Sequence, residues 1–196
     1  MPASRSATSE ALFWLTYGTW VVLEVGLAVR DVRRSSPVHG NRDRGTRRIF
    51  AAGIIGGFTL AFWGTSGSPS SRTIHGPGVV FVGSAVALAG VALRIWSVRT
   101  LGRYFRRSVT IESDHELVTR GPYAVVRHPS YTGGLLSGLG MGVATGHPLG
   151  LIGLFVIPLL ALLPRIRVEE RALTAALGDR YVQYRDGTAA LVPGLW

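Results

Sequence analysis

Apolar stretches of membrane length alternate along this chain with short arginine-rich ones. Leu12–Val29 is apolar except for Glu24, and at about 1.5 Å per helical residue it just spans a bilayer. Ile49–Ser66 is a second, glycine-rich span. Pro77–Val98 is a third, with Pro77 suited to a first helical turn, Arg94 near the end and Trp96 placed for the interface. Tyr131–Gly146 and Leu149–Leu163 are shorter, and the turn Gly146-His147-Pro148 makes them an antiparallel hairpin. Gly134, Gly138, Gly142 and Gly146 recur every four residues, which gives one helical face a second helix can approach closely. After Pro164, the spacing of Ile166, Leu173, Leu177, Tyr181 and Tyr184 predicts an amphipathic helix over Arg165–Tyr184 at the headgroup level. The pattern predicts an all-α polytopic membrane bundle of about five transmembrane helices, integrated as one domain. Residues 1–98 hold three N-terminal spans, and residues 99–196 hold a polar connector, the hairpin and the C-terminal helix.

Composition agrees with a membrane protein. The 196 residues are 47% apolar and 16% charged, with a mean hydropathy of +0.29. There is no cysteine, so disulfides, thiolate metal sites and a cysteine nucleophile are excluded, and no metal site is expected. The net charge of +10 comes from arginine alone, because lysine is absent. These arginines flank apolar segments, so anionic lipid headgroups rather than nucleic acid are the expected partner. If all five segments span, 19 of the 21 arginines fall on one side and only Arg5 and Arg72 on the other. That asymmetry predicts an external N-terminus, a cytosolic C-terminus and a cytosol-facing site.

The stretch 99–127 is the one long polar connector; within it Ser108–Ile111 and Glu116–Thr119 read as extended or turn-like. It leads into Arg127-His128-Pro129-Ser130-Tyr131 at one foot of the hairpin, and Arg165 with Glu169 and Glu170 stands at the other. Ionisable groups at a membrane boundary are costly, and two such clusters at one end of a hairpin suggest a single polar site. Pro129 is placed to open a helix whose first turn offers free N–H groups, suited to a carboxylate or phosphate, with Arg127 and His128 as further donors. Glu169 and Glu170 supply negative charge for an ammonium group. A ligand with an amino-acid head would bridge the two feet. The plainer alternative for Glu169 is an exposed ion pair with Arg165 one turn earlier, and for His128 a helix cap. Glu24, an acid inside the first span, either pairs with an arginine or faces a lateral path for substrate.

Arg127-His128-Pro129-Ser130-Tyr131-x-Gly133, preceded by Leu117-Val118-Thr119-x-Gly121-Pro122-Tyr123, resembles the isoprenylcysteine carboxyl methyltransferase family in its prokaryotic type. Arg165-x-x-x-Glu169-Glu170-x-x-Leu173 and Gly178-x-x-Tyr181-x-x-Tyr184 extend the resemblance over about Leu93–Trp196. The resemblance implies an integral membrane enzyme that uses S-adenosyl-L-methionine. Carried over by motif, Arg127, His128, Pro129 and Tyr131 would lie at the cofactor's amino-acid end. Glu170, with Glu169 beside it, would hold the ammonium, while Leu117, Val118, Gly121 and Tyr123 would line the adenosine side. Arg165 and Glu170 would be the catalytic pair, with Arg165 facing the carboxylate of a hydrophobic or lipidated acceptor. Eukaryotic members carry an Asn-Phe-Asn-His-like stretch where this chain has Tyr104-Phe105-Arg106-Arg107, so the resemblance stops short of a prenylated CaaX protein as acceptor. An ionised carboxylate needs no general base, so sparse acid-base machinery fits this chemistry. The competing readings are a phospholipid N-methyltransferase, an NADPH-dependent membrane reductase and a non-enzymatic membrane scaffold.

Overall fold

The computed structural model describes residues 6–34, 45–65, 76–102 and 117–194. Among the described residues, five long helices carry the fold: α1 (Ala7–Arg34), α2 (Thr46–Thr65), α3 (Pro77–Leu101), α4 (Pro129–Thr145) and α5 (Pro148–Leu177). A short helix, α6 (Asp179–Asp186), follows. Three of them are long and apolar enough to cross a membrane: 24 residues of α1, 25 of α3 and 30 of α5. The apolar part of α2, Arg48–Gly64, and the 17-residue α4 are shorter. Large apolar side chains on α1 and α2 point outward, among them Leu15, Val22, Ile55 and Trp63. That arrangement suits helices whose solvent is lipid.

The expected hairpin is present. Gly146 adopts a left-handed φ of 69° to end α4, and His147 Nδ1 accepts a hydrogen bond from the Leu149 N–H to start α5. The structure differs beyond Pro164. The last span and the amphipathic helix over Arg165–Tyr184 are not two elements: α5 runs unbroken through Pro164 to Leu177. Proline removes one helical hydrogen bond, but Leu162 and Ile166 on either side of Pro164 are buried in one apolar cluster, which favours a continuous helix. The break comes at Gly178, whose φ of 58° side chains disfavour, and α6 begins there. One turn of α5, Ile152–Val156, is a π-helix. Of the connector, Ser108–Ile111 and Tyr104–Arg107 lie outside the described residues, as does most of the loop between Arg30 and Arg48.

Glycine sets how closely these helices pack, on more faces than the four-residue stripe suggested. A β-carbon on Gly142 would lie 2.8 Å from Leu151 Cα, and one on Gly138 would overlap the Leu154 carbonyl at the π-turn. Those two glycines of the stripe therefore face α5. Gly134 instead faces Arg94 of α3, and Gly146 is the cap. A separate face of α4, Gly133, Ser137, Gly140 and Ala144, lies backbone against backbone on Gly83, Ala87, Gly90 and Arg94 of α3. A β-carbon on Gly83 would sit 2.6 Å from Ala144 N, and one on Gly133 2.7 Å from Arg94 N. Ser137 Oγ also donates across this seam to the Ala87 carbonyl at 3.2 Å. On the other side of the bundle, Gly57 of α2 meets Gly153 of the π-turn, and Gly53 meets Ala161.

These contacts fix relative direction. α4 is antiparallel to α3, α5 is antiparallel to α2, and α1 runs parallel to α3, with Arg30 Nη2 donating to the Gly102 carbonyl at 2.9 Å. The C-terminal ends of α1, α3 and α5 and the N-terminal ends of α2 and α4 therefore share one end of the bundle. His128, Tyr131 and Arg165 lie at that end.

Candidate active site

The site is built where α4 begins. Gly121, with φ of 60°, opens a 3-10 turn over Gly121–Ala124 that leads the chain towards α4. Pro129 occupies the first turn of α4, as its fixed φ favours, and His128 precedes it. Several N–H groups there are already engaged. Tyr131 N–H and Thr132 N–H both donate to the His128 carbonyl, at 2.9 and 3.0 Å. The C-terminal segment returns alongside: Val126 and Ala189 form a parallel bridge, Arg127 N–H donates to the Ala189 carbonyl at 2.8 Å, and His128 N–H donates to that of Ala190 at 3.1 Å. Thr132 Oγ1 adds a bond to the Leu191 carbonyl at 2.8 Å. The strap Ala189–Leu191 and the first helical turn thus engage the N–H groups of Arg127, His128, Tyr131 and Thr132.

The two feet of the hairpin do meet, through their own side chains. Glu170 Oε1 accepts from Arg127 Nε at 2.7 Å and lies 3.2 Å from His128 Nε2. A carboxylate stands by this helix start, as expected, but it is the protein's own. Arg127 also donates through Nη1 to the Arg185 carbonyl at 2.9 Å and to that of Thr188, so its cation meets the C-terminal end of α6. Next to this pair, the Tyr131 hydroxyl donates to Glu169 Oε2 at 2.8 Å and accepts from Arg165 Nε at 2.8 Å. Glu169 and Arg165 are therefore joined through Tyr131 rather than as an exposed pair along one helix. The Tyr131 ring stacks on His128, with centroids 5.6 Å apart and planes 17° apart. The Arg165 guanidinium is buried, 6.0 Å from the Tyr131 ring and 5.9 Å from that of Phe50 on α2.

Tyr123, predicted for the adenosine side, is buried, and its carbonyl accepts from the Tyr184 hydroxyl at 2.6 Å. Leu117 and Val118 are half-buried in irregular chain before the 3-10 turn, and Gly121 packs beside Thr100 and Trp96 of α3. These three stand outside the hydrogen-bonded cluster of His128, Tyr131, Glu169 and Glu170. Burial raises the hydroxyls of Tyr123 and Tyr181, with the nearby acids Glu169 and Glu170 respectively adding to it. Burial pushes Tyr184 up to about 12, against the lowering influence of Arg127. All three remain protonated donors at neutral pH.

Three features went unread in the sequence. Tyr181 is 1% exposed, and its hydroxyl has no hydrogen-bond partner among the described residues. It recurs with Tyr184 at helical spacing, which reads simply as an apolar face. The strap Ala189–Leu191 carries no ionisable residue to mark it. Arg94, although seen near the end of its span, turns out to be buried: Nη1 donates to Ser130 O at 2.7 Å and Ser130 Oγ at 3.1 Å, and Nη2 to Glu24 at 3.0 Å. It is the arginine partner anticipated for Glu24.

Comparison with known proteins adds an independent line. The chain is 34% identical over 113 residues to protein-S-isoprenylcysteine O-methyltransferase B of Arabidopsis thaliana, a match covering 57% of each chain. It is 32% identical over 114 residues to protein-S-isoprenylcysteine O-methyltransferase of Tribolium castaneum, covering 57% of this chain and 41% of that one. The chain thus spans only about half the length of the curated relatives it matches. A solved eukaryotic intramembrane Ras methyltransferase, isoprenylcysteine carboxyl methyltransferase, superposes with a TM-score of 0.62 at 28% identity. That superposition covers 74% of this chain and 52% of the other. The family model for isoprenylcysteine carboxyl methyltransferases matches residues 82–175, from the second turn of α3 to near the end of α5. The segment that carries Arg94, His128, Tyr131, Arg165, Glu169 and Glu170 is the matched one, and over it this polytopic helical membrane protein is similar to the isoprenylcysteine carboxyl methyltransferases.

Proposed function

We propose that this chain is an S-adenosylmethionine-dependent integral membrane methyltransferase that esterifies the carboxylate of a hydrophobic, isoprenylcysteine-like acceptor. The observation that carries this reading is the Tyr131 hydroxyl held between Arg165 and Glu169, beside Glu170 in its bonds with Arg127 and His128. Cation, acid and aromatic donor converge there at the end of a membrane bundle. The residues fit the cofactor's chemistry. Glu169 and Glu170 offer negative charge to an ammonium group, and the buried, unpartnered Tyr181 hydroxyl is a donor that seeks an acceptor. His128 and Tyr131 border the amino-acid end, and Tyr123 with the chain at Leu117, Val118 and Gly121 lies towards the adenosine side. S-adenosylmethionine, when bound, supplies an electrophilic methyl group. The protein then has to orient the acceptor and exclude water. Arg165 does the first through a planar fork suited to a carboxylate. Its burial against Phe50 and Tyr131 keeps that fork away from bulk water. The acceptor reaches it from the lipid, and the arginine asymmetry supports a cytosolic orientation of this end of the bundle.

Calorimetry with S-adenosylhomocysteine tests the cofactor assignment. His128→Ala and Glu170→Ala should each weaken binding by about 1.5–3 kcal/mol, the range for lost charge-assisted hydrogen bonds. Unchanged affinity in both moves the pocket elsewhere. Transfer of labelled methyl to a prenylcysteine analogue should yield a base-labile ester. A base-stable product on phospholipid amines would replace carboxyl methylation with amine methylation.

A further inference from the structure

Glu24 and Arg94 form an ion pair inside the helical bundle, away from the carboxylates of the proposed site. Arg94 Nε lies 2.5 Å from Glu24 Oε1, with side chains 9% and 30% exposed. A charge at membrane depth is costly, and a pair recovers that cost only with good geometry and further hydrogen bonds. Here the further bonds go to one residue. The same guanidinium that meets Glu24 through Nε and Nη2 reaches through Nη1 to both oxygens of Ser130. Ser130 precedes Tyr131 in the first turn of α4. Gly134, one turn on, makes room: a β-carbon there would lie 3.3 Å from Arg94 Nη1. An apolar bundle would need no such device to hold α1 against α3. Its polar reach ends at the residue next to the tyrosine that joins Arg165 to Glu169.

We infer that Glu24 and Arg94 are positioning residues: the Glu24-oriented guanidinium fixes Ser130, and through it the place of the Tyr131 hydroxyl between Arg165 and Glu169. The inference rests on the proposed methyltransferase reading, because Tyr131 is what it positions. The role assigned to Glu24 and Arg94 is to position Ser130 and Tyr131, not to contact cofactor or acceptor. The geometry requires a fork, since one group has to serve Glu24 and Ser130 together. A lysine at position 94 keeps the charge and loses that reach.

The test is a double-mutant cycle read by S-adenosylhomocysteine calorimetry on the full chain in lipid nanodiscs, with the thermal midpoint of each sample recorded. Glu24→Gln and Arg94→Lys should each weaken binding on the order of tenfold when Tyr131 is present, and less than twofold in the Tyr131→Phe background. A purely architectural pair would give the same fold-loss in both backgrounds, tracking the thermal midpoint, and that additivity overturns the inference while leaving the methyltransferase reading intact. Unchanged affinity in both single variants overturns it equally. If the charge variants do not accumulate as folded protein, Gly134→Ala serves in their place. It leaves every charge, presses on Nη1, and should weaken binding several-fold only when Tyr131 is present; equal effects in both backgrounds count against the inference. Wild-type protein that binds no S-adenosylhomocysteine fails the parent reading first, and this inference falls with it.

Discussion

α4 makes two seams, and they balance close packing against polar contact differently. Against α3 it is small residue on small residue along most of its length, with Gly133, Ser137, Gly140 and Ala144 on Gly83, Ala87 and Gly90, so the two backbones are in contact, and one cation, Arg94, bonds to Ser130 at its end. Against α5 it begins at glycine, Gly138 on the π-turn and Gly142 on Leu151, and ends in ionisable groups at Tyr131 and Glu169. In lipid no hydrophobic force drives helices together, so close backbone packing must hold the first seam. The second seam gives up part of that packing to place an acid, a tyrosine and a cation in one cluster. The difference divides the labour: α3 fixes where α4 stands, and α5 brings the chemistry to it.

The sharpest way to break this contrast is to put bulk into the first seam. A β-carbon on Gly140 would overlap Ala87 N, which is backbone and cannot move aside. Gly140→Val should cost more than about 3 kcal/mol and remove folded protein from the membrane fraction, measured as monodisperse yield after extraction. Gly56→Ala on α2 is the control, because a β-carbon there meets nothing within 4 Å. Its yield should match wild type, and a loss equal to that of Gly140→Val would mean that glycine itself, not the seam, matters.

The second seam should fail differently. Arg165→Lys keeps a cation but loses the fork that reaches Tyr131 and an acceptor carboxylate together. Methyl transfer should fall roughly 10- to 100-fold, the size of a lost charge-assisted bond, while S-adenosylhomocysteine affinity falls no further than it does in Tyr131→Phe, whose hydroxyl Arg165 helps to hold. Radiolabel transfer and calorimetry on the same preparation separate the two. A fully active Arg165→Lys protein would remove the carboxylate assignment.

The second seam was legible in the sequence and the first was not, for a physical reason. A cluster such as Arg127, His128, Tyr131, Glu169 and Glu170 announces itself because ionisable residues are rare at a membrane boundary. The glycines of α4 are visible too, but their four-residue stripe points to one packing face where the helix uses two. The α3 partners Gly83, Ala87 and Gly90 look like ordinary apolar sequence, and only pairing with α4 gives them meaning. Pro164 misled in the same way: local rules end a helix there, and the packing of α5 carries it on to Gly178. The strap Ala189–Leu191 engages backbone N–H groups, which no side-chain pattern records. Glu24 was readable as an oddity needing an arginine, but not that the arginine also holds Ser130.

The smallest effect lies where the second seam is tied to α6. The Tyr184 hydroxyl donates to the Tyr123 carbonyl at 2.6 Å, and this bond links α6 to the chain that enters α4. Tyr184→Phe keeps the ring and loses one neutral hydrogen bond, so stability should drop by about 0.5–1.5 kcal/mol and methyl transfer by less than about threefold. Its signature is in alkali. Burial raises the folded hydroxyl to about 12, whereas a free tyrosine ionises near 10. The unfolded chain therefore releases this proton first as pH rises. The contribution to stability is fully present below about pH 10 and is lost progressively between there and about pH 12. Thermal unfolding followed from pH 8 to pH 11.5 should show a decline above pH 10 that is shallower in Tyr184→Phe than in wild type. Tyr123 and Tyr181 are raised by burial as well, so part of the decline should survive the substitution. Identical slopes in the two proteins would mean that Tyr184 is not buried against Tyr123 in the membrane, and that α6 is not anchored to the start of α4 by this bond.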